Sequence, residues 1–125
     1  MASSTASSPL DSVVAELKAN GLTDALSFAV GNYNLLGALG LDVVADILQS
    51  LKKGDTEAAE NTLDKNLTAD ELTEAMLADA DAKNQETMTK EAFLKAAATV
   101  AENLLPTVLK YAATAASGGI GSVLL

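Results

Sequence analysis

The sequence contains no cysteine, histidine, arginine or tryptophan. Without cysteine the chain can form no disulfide and offers no thiolate, and without histidine it has no imidazole to act as a general base or metal ligand. Serine and threonine are plentiful, but no histidine is available to activate them. We therefore predict that the protein is not an enzyme, with no catalytic residues, no metal site and no cofactor.

Basic residues are also scarce. The 125-residue chain carries 17 acidic and 8 basic side chains, for a net charge of −9. Lys52 and Lys53 are the only adjacent basic pair. Because binding to a phosphate backbone depends on clustered basic groups, the sequence predicts no nucleic-acid partner.

Long apolar runs are missing as well. The two longest charge-free windows, residues 25–41 and 111–125, fall short of the roughly 20 apolar residues that a membrane-spanning helix needs. The first residues are small and polar, without the basic and apolar regions of a secretory signal. We expect a location in the cytoplasm or within a larger particle.

What the chain does have is apolar residues at helical spacing. This pattern predicts an all-α fold, with five or six short helices in one compact array. Ser8 and Pro9 have the residue types that begin a helix, and a second segment starts at Thr23. The sequence "GNYN" then predicts a turn, followed by a helix over Leu35–Lys53 and a short polar surface helix over residues 55–62.

The clearest local signal begins at Thr68. Thr68 and Glu71 have the T-x-x-E spacing of a capping box, and Leu67 and Leu72 occupy the positions of a hydrophobic staple. Together they predict a helix from Ala69 to about residue 82.

A long helix rich in alanine and leucine ends the predicted fold. It should begin near Thr89 and be kinked near Pro106, since proline removes a backbone hydrogen bond. A helix that is apolar nearly all round is normally buried, so we expect the part before Pro106 to be the central helix. Ala97 and Ala101 have the spacing that lets two helix backbones approach closely.

The domain division follows from these elements. Residues 1–7 are predicted to be a mobile tail, residues 8–116 the helical domain, and residues 117–125 a flexible apolar C-terminus.

The stretch after Pro106 has more apolar surface than a small domain can readily cover. We therefore predict a non-catalytic interaction or assembly protein, a small subunit that docks into a larger complex or particle through its C-terminal region. Its partner would be another protein or a second copy. The predicted interaction residues are Leu105, Val108, Leu109, Tyr111, Ile120, Val123, Leu124 and Leu125.

Two alternatives stay open at this point. The protein could be membrane-active, with its C-terminal helix binding or entering a bilayer, although few lysines are available for the polar face of such a helix. It could also carry an apolar ligand in a pocket formed by Leu26, Phe28, Leu36 and Leu39.

The segment "ELTEAMLADADAKNQETMTKEAFLKAA" resembles a single EF-hand, with a loop starting at Asp81 and an apolar Met88 at its eighth position. It departs from that family where calcium would be held. Lys83 and Gln85 stand at the third and fifth positions, and Ala92 replaces the bidentate glutamate. We expect no calcium site.

Acidic residues also occur in pairs that could suggest an acid/base dyad or an oxygen-rich metal site. These pairs are Glu57 with Glu60, Glu71 with Glu74, and Asp79 with Asp81. Because no histidine accompanies them, we interpret them as a solvated acidic face.

Overall fold

The structure, a computed structural model, describes residues 9–84, 86 and 88–116. Within these residues the chain forms α-helices and no strands, which confirms the predicted all-helical domain. It contains seven helices in this part of the chain, where the sequence predicted five or six. They are α1 (Pro9–Ala19), α2 (Thr23–Gly31), α3 (Tyr33–Leu39), α4 (Leu41–Lys52), α5 (Thr56–Asn66), α6 (Ala69–Lys83) and α7 (Lys90–Ala116).

The additional helix arises between residues 31 and 41. The predicted turn is only a short break at Asn32, whose backbone N–H and side-chain amide both donate to the carbonyl of Phe28. Helix α3 begins at the next residue and ends at Leu39, and Gly40 follows with a φ of 86°. Because L side chains rarely adopt that conformation, glycine permits the abrupt turn. The predicted helix over residues 35–53 is therefore two helices, α3 and α4, bent by 103°.

Helix α5 is longer and less superficial than expected. The Asp55 side chain accepts a hydrogen bond of 3.0 Å from the N–H of Ala58, which caps its first turn. The helix continues to Asn66, beyond the predicted end, and Ala59 and Leu63 are fully buried. One turn of apolar side chains thus attaches this polar helix to the core beside α4.

The capping box of α6 is confirmed. The Thr68 hydroxyl accepts from the N–H of Glu71 at 3.1 Å, and the Glu71 carboxylate accepts from the N–H of Thr68 at 2.9 Å. The helix ends at Lys83, and Asn84 follows with a left-handed backbone, a common way to close a helix C-terminus.

Helix α7 is the central element. It packs most extensively against α4 and also against α1 and α2. Its core face follows helical spacing on both sides of Pro106, which lies inside one continuous helix. The predicted kink at Pro106 stays a prediction. The buried residues of this face are Phe93, Leu94, Ala97, Val100, Ala101, Leu104, Leu105, Val108 and Ala112.

The two phenylalanines join α2 to α7. The rings of Phe28 and Phe93 stack with their centroids 5.6 Å apart. Leu36 and Leu39 pack close by, and the space among these side chains is too small for a water molecule. A ligand pocket was expected among Leu26, Phe28, Leu36 and Leu39. The space between the last three is filled core because the aromatic pair occupies it, and Leu26 is partly buried against the same core.

Asp79 corrects the interpretation of the acidic pairs. Its side chain is only 5% exposed. The carboxylate accepts hydrogen bonds from the backbone N–H groups of Asn34 and Leu35, at 2.8 and 3.1 Å, and from the Asn34 amide at 3.1 Å. These bonds satisfy donors at the start of α3 that have no partner within the helix. Asp79 thus joins α6 to α3, whereas Asp81 is exposed as predicted.

We predict that Asp79→Ala lowers the free energy of unfolding by about 1–3 kcal/mol, because it leaves the buried N–H of Leu35 without an acceptor and removes two part-buried hydrogen bonds of Asn34. Urea denaturation measures the change. The matched control is Asp81→Ala, which removes an exposed carboxylate from the same helix and should change stability by less than about 0.5 kcal/mol. Equal effects of the two substitutions would contradict the structural role of Asp79.

Candidate functional site

The structure divides the predicted interaction residues between core and surface. Leu105 and Val108 are 6% and 1% exposed, so they stabilise the chain's own core. Leu109, about one turn after Leu105 on α7, is 40% exposed. Tyr111 is partly buried against the core.

The remaining four predicted residues, Ile120, Val123, Leu124 and Leu125, lie outside the described residues. The apolar surface that the described part of α7 offers is therefore narrower than the sequence predicted. A helix turns about 100° per residue, so Val108 and Leu109 cannot share one face.

The end of α7 is held to α1 by a polar cluster. One carboxylate oxygen of Glu16 accepts hydrogen bonds from the Lys110 ammonium and the Tyr111 hydroxyl, each at 2.8 Å. Both hydrogen bonds lower the pKa of Glu16, and the one from Lys110 has the larger effect. The same carboxylate raises the pKa of Lys110 and of Tyr111, since it stabilises their protonated forms. The Tyr111 hydroxyl thus has a partner within the chain.

A second polar cluster holds the start of α7. The Lys90 ammonium lies 3.0 Å from the carboxylate of Asp64 and 3.1 Å from that of Glu60, both on α5. The hydrogen bond to Asp64 contributes most to raising the pKa of Lys90, and the hydrogen bond to Glu60 contributes next. Ion pairs so close to solvent contribute little to stability. The Lys90 ion pairs and the Glu16 cluster nevertheless restrain the two ends of α7.

An apolar groove lies between the start of α1, α3 and α4. We call it the α3–α4 groove; its volume is about 610 Å³, within the range of ligand-binding clefts. At its edge, the Tyr33 hydroxyl donates to Asp11 at 2.5 Å. A methyl group added at Gly37 would meet no atom within 4 Å, so the groove is open there. Its main lining side chains are Leu10, Tyr33, Leu36, Leu39, Leu41 and Val43.

A second groove, of about 470 Å³, lies between α3 and α6 and carries Glu71 and Glu74. Glu71 already serves in the capping box. Across the described residues, no three acidic side chains come together in a group that could hold a metal ion. The two glutamates alone therefore provide no argument for acid/base or metal chemistry.

None of the described helices has by itself the length and apolar character to cross a bilayer. Helices α3 and α4 have enough when taken together, but they are sharply bent at Gly40. Their largest apolar side chains, including Leu35, Ile47 and Leu48, are buried within the domain.

No family model, curated protein sequence or solved structure matches this chain. Its function is therefore inferred from the surfaces described above.

The Glu16 cluster predicts a pH-dependent contribution to stability. The folded-state pKa of Glu16 lies below its ordinary value of 4.5, so the cluster stabilises the fold above that value. The contribution is lost as the pH falls through the folded-state pKa. We expect wild type to be more stable than Glu16→Gln at neutral pH, and the difference to disappear in acid.

Urea denaturation of both proteins between about pH 7 and pH 2 measures this difference. Tyr111→Phe removes one of the two donors and should retain part of the pH dependence. A stability difference that does not change with pH would contradict the prediction.

Proposed function

We propose that this chain is a non-catalytic helical interaction or assembly protein, a small subunit that docks into a larger complex through its apolar C-terminal region. The observation that carries the proposal is Leu109, whose side chain is 40% exposed near the end of α7. One exposed leucine would be ordinary. Here, however, the chain continues into further apolar residues, and we define the docking strip as Leu109, Ile120, Val123, Leu124 and Leu125.

The packing of α7 supports this use of its exposed side. Val108 and Ala112 hold one side of the helix in the core, and Glu16 restrains the turn that contains Lys110 and Tyr111. Leu109 is thus displayed on a helix that is already ordered. A preformed surface loses less conformational entropy on binding.

The roles of the acidic residues support a function without catalysis. Asp79 caps α3, Glu71 completes the capping box of α6, and Glu60 pairs with Lys90. Each of these side chains contributes to the fold. The chain also has no histidine, cysteine or arginine that could accompany a carboxylate in catalysis.

Self-association through the docking strip can be tested with the isolated chain. We expect the solution mass of wild type to rise above 12.7 kDa with increasing concentration. The triple variant Leu109→Ser, Leu124→Ser, Leu125→Ser should associate at least about 100-fold more weakly, because burying each leucine contributes roughly 1.5–3 kcal/mol. Sedimentation equilibrium measures both proteins.

The matched control replaces exposed apolar residues elsewhere, in the double variant Val30→Ser, Leu77→Ser. These side chains are 54% and 48% exposed and lie on α2 and α6. The control should associate like wild type. Wild type that stays at 12.7 kDa at every concentration would count against self-association. If it also co-sedimented with lipid vesicles and the triple variant did not, the membrane-active alternative would be favoured.

A further inference from the structure

The α3–α4 groove has the size and lining of a small-molecule site. Its volume of about 610 Å³ lies in the range of clefts that hold drug-sized ligands. A stable protein interface buries roughly 800 Å² of each partner, a larger area than this groove presents. Leu36, Leu39 and Leu41 line it and are each no more than 7% exposed. Water in such a space finds few hydrogen-bonding partners, so the apolar part of a ligand would replace it favourably.

The charged groups at this groove are carboxylates. Asp42, in the first turn of α4, is exposed and lines the groove. Tyr33 also lines it, and the Tyr33 hydroxyl donates to Asp11, which brings a second negative charge to the edge. Among the residues that the structure describes, no lysine lines the groove. The apolar space therefore has a negatively charged edge.

The charge of Asp42 is available to a ligand. The ion pairs formed within the described part of the chain use Lys90 and Lys110, and none of them involves Asp42. The whole chain carries a net charge of −9, so its field attracts cations and repels anions. The electron-rich face of an aromatic ring such as that of Tyr33 also attracts a cation.

These charges decide between ligands with different head groups. A fatty acid or another apolar anion would bring a like charge beside Asp42. The start of α4 offers the positive end of a helix dipole, but Asp42 stands in that first turn and already supplies the negative charge that the dipole favours. An ammonium group meets attraction from the carboxylates and from the net charge, so the groove favours a cation attached to an apolar body.

We propose that the α3–α4 groove binds a small amphipathic cation, an alkyl or aryl amine whose apolar part contacts Leu36, Leu39 and Leu41 and whose ammonium group lies beside Asp42. This ligand site goes beyond the proposed function. None of the residues that line the groove belongs to the docking strip. The experiments on the groove are therefore independent of those on self-association.

Two ligands with alkyl chains of similar length but opposite charge test the proposal. We expect octyltrimethylammonium to bind the full-length chain at one saturable site. Octanoate should bind at least about tenfold more weakly, because its charge is repelled. Isothermal titration calorimetry measures both affinities, at concentrations below those at which either compound forms micelles. No saturable binding of the cation, or equal affinities for the two compounds, would overturn the proposal.

A substitution inside the groove tests where the cation binds. An added side chain at Gly37 meets open space and no left-handed backbone opposes it, so Gly37→Leu places a bulky side chain in the groove. The matched control is Ala38→Leu, since Ala38 is the exposed next residue of α3 and lines the other groove. We expect Gly37→Leu to weaken binding of octyltrimethylammonium at least about tenfold, because burial of the alkyl chain is lost, and Ala38→Leu to bind like wild type. Circular dichroism checks that both variants are folded. Equal affinities of the two folded variants would overturn the proposal.

A substitution of the carboxylate tests the role of charge without changing the shape of the groove. We expect Asp42→Asn to weaken binding of octyltrimethylammonium about two- to fivefold, the effect of one exposed ion pair. The matched control is Asp46→Asn, one turn later on α4, which changes the net charge equally but lies outside the lining of the groove. In about 0.15 M salt it should change the affinity less than about 1.5-fold. Equal effects of the two substitutions would overturn the placement of the ammonium group beside Asp42.

Discussion

The packing of α7 against α4 is the contact on which the remaining structure depends. The chain has only two phenylalanines and no tryptophan, so its core relies on close approach of aliphatic and alanine faces. Ala97 and Ala101 lie almost fully buried on α7, within the same core as Ile47 and Leu48 of α4. Helices α1, α2 and α5 then pack around this pair. A larger side chain at either alanine would separate the helices that hold the others.

The attachment of α6 differs from that of the central helices. It contacts mainly α3, and a buried carboxylate supplies a specific polar connection. Asp79 therefore does for α3 what a capping residue usually does from within its own helix. Two other acidic residues also position a helix, because Glu60 and Glu16 restrain the two ends of α7. Acidic residues that resemble catalytic pairs in the sequence are thus used to position helices.

The surfaces left over define what the protein can do. The core covers one side of α7, and Leu109, at the edge of that side, is the large apolar side chain that the described part of this helix exposes. The α3–α4 groove is a separate apolar surface, created where Gly40 turns the chain between two helices.

The sequence by itself determined the helical class and the helix ends that depend on local contacts. The capping box of Thr68 and Glu71 was predictable because its hydrogen bonds join residues three apart. Only the tertiary structure decided which apolar residues are buried, since Leu105 and Leu109 lie about one turn apart on α7 and differ in how far the neighbouring helices cover them. It likewise decided the burial of Asp79, whose partners lie more than forty positions away. Such contacts depend on how the helices pack against one another, and the local spacing of residues in the sequence does not specify this packing.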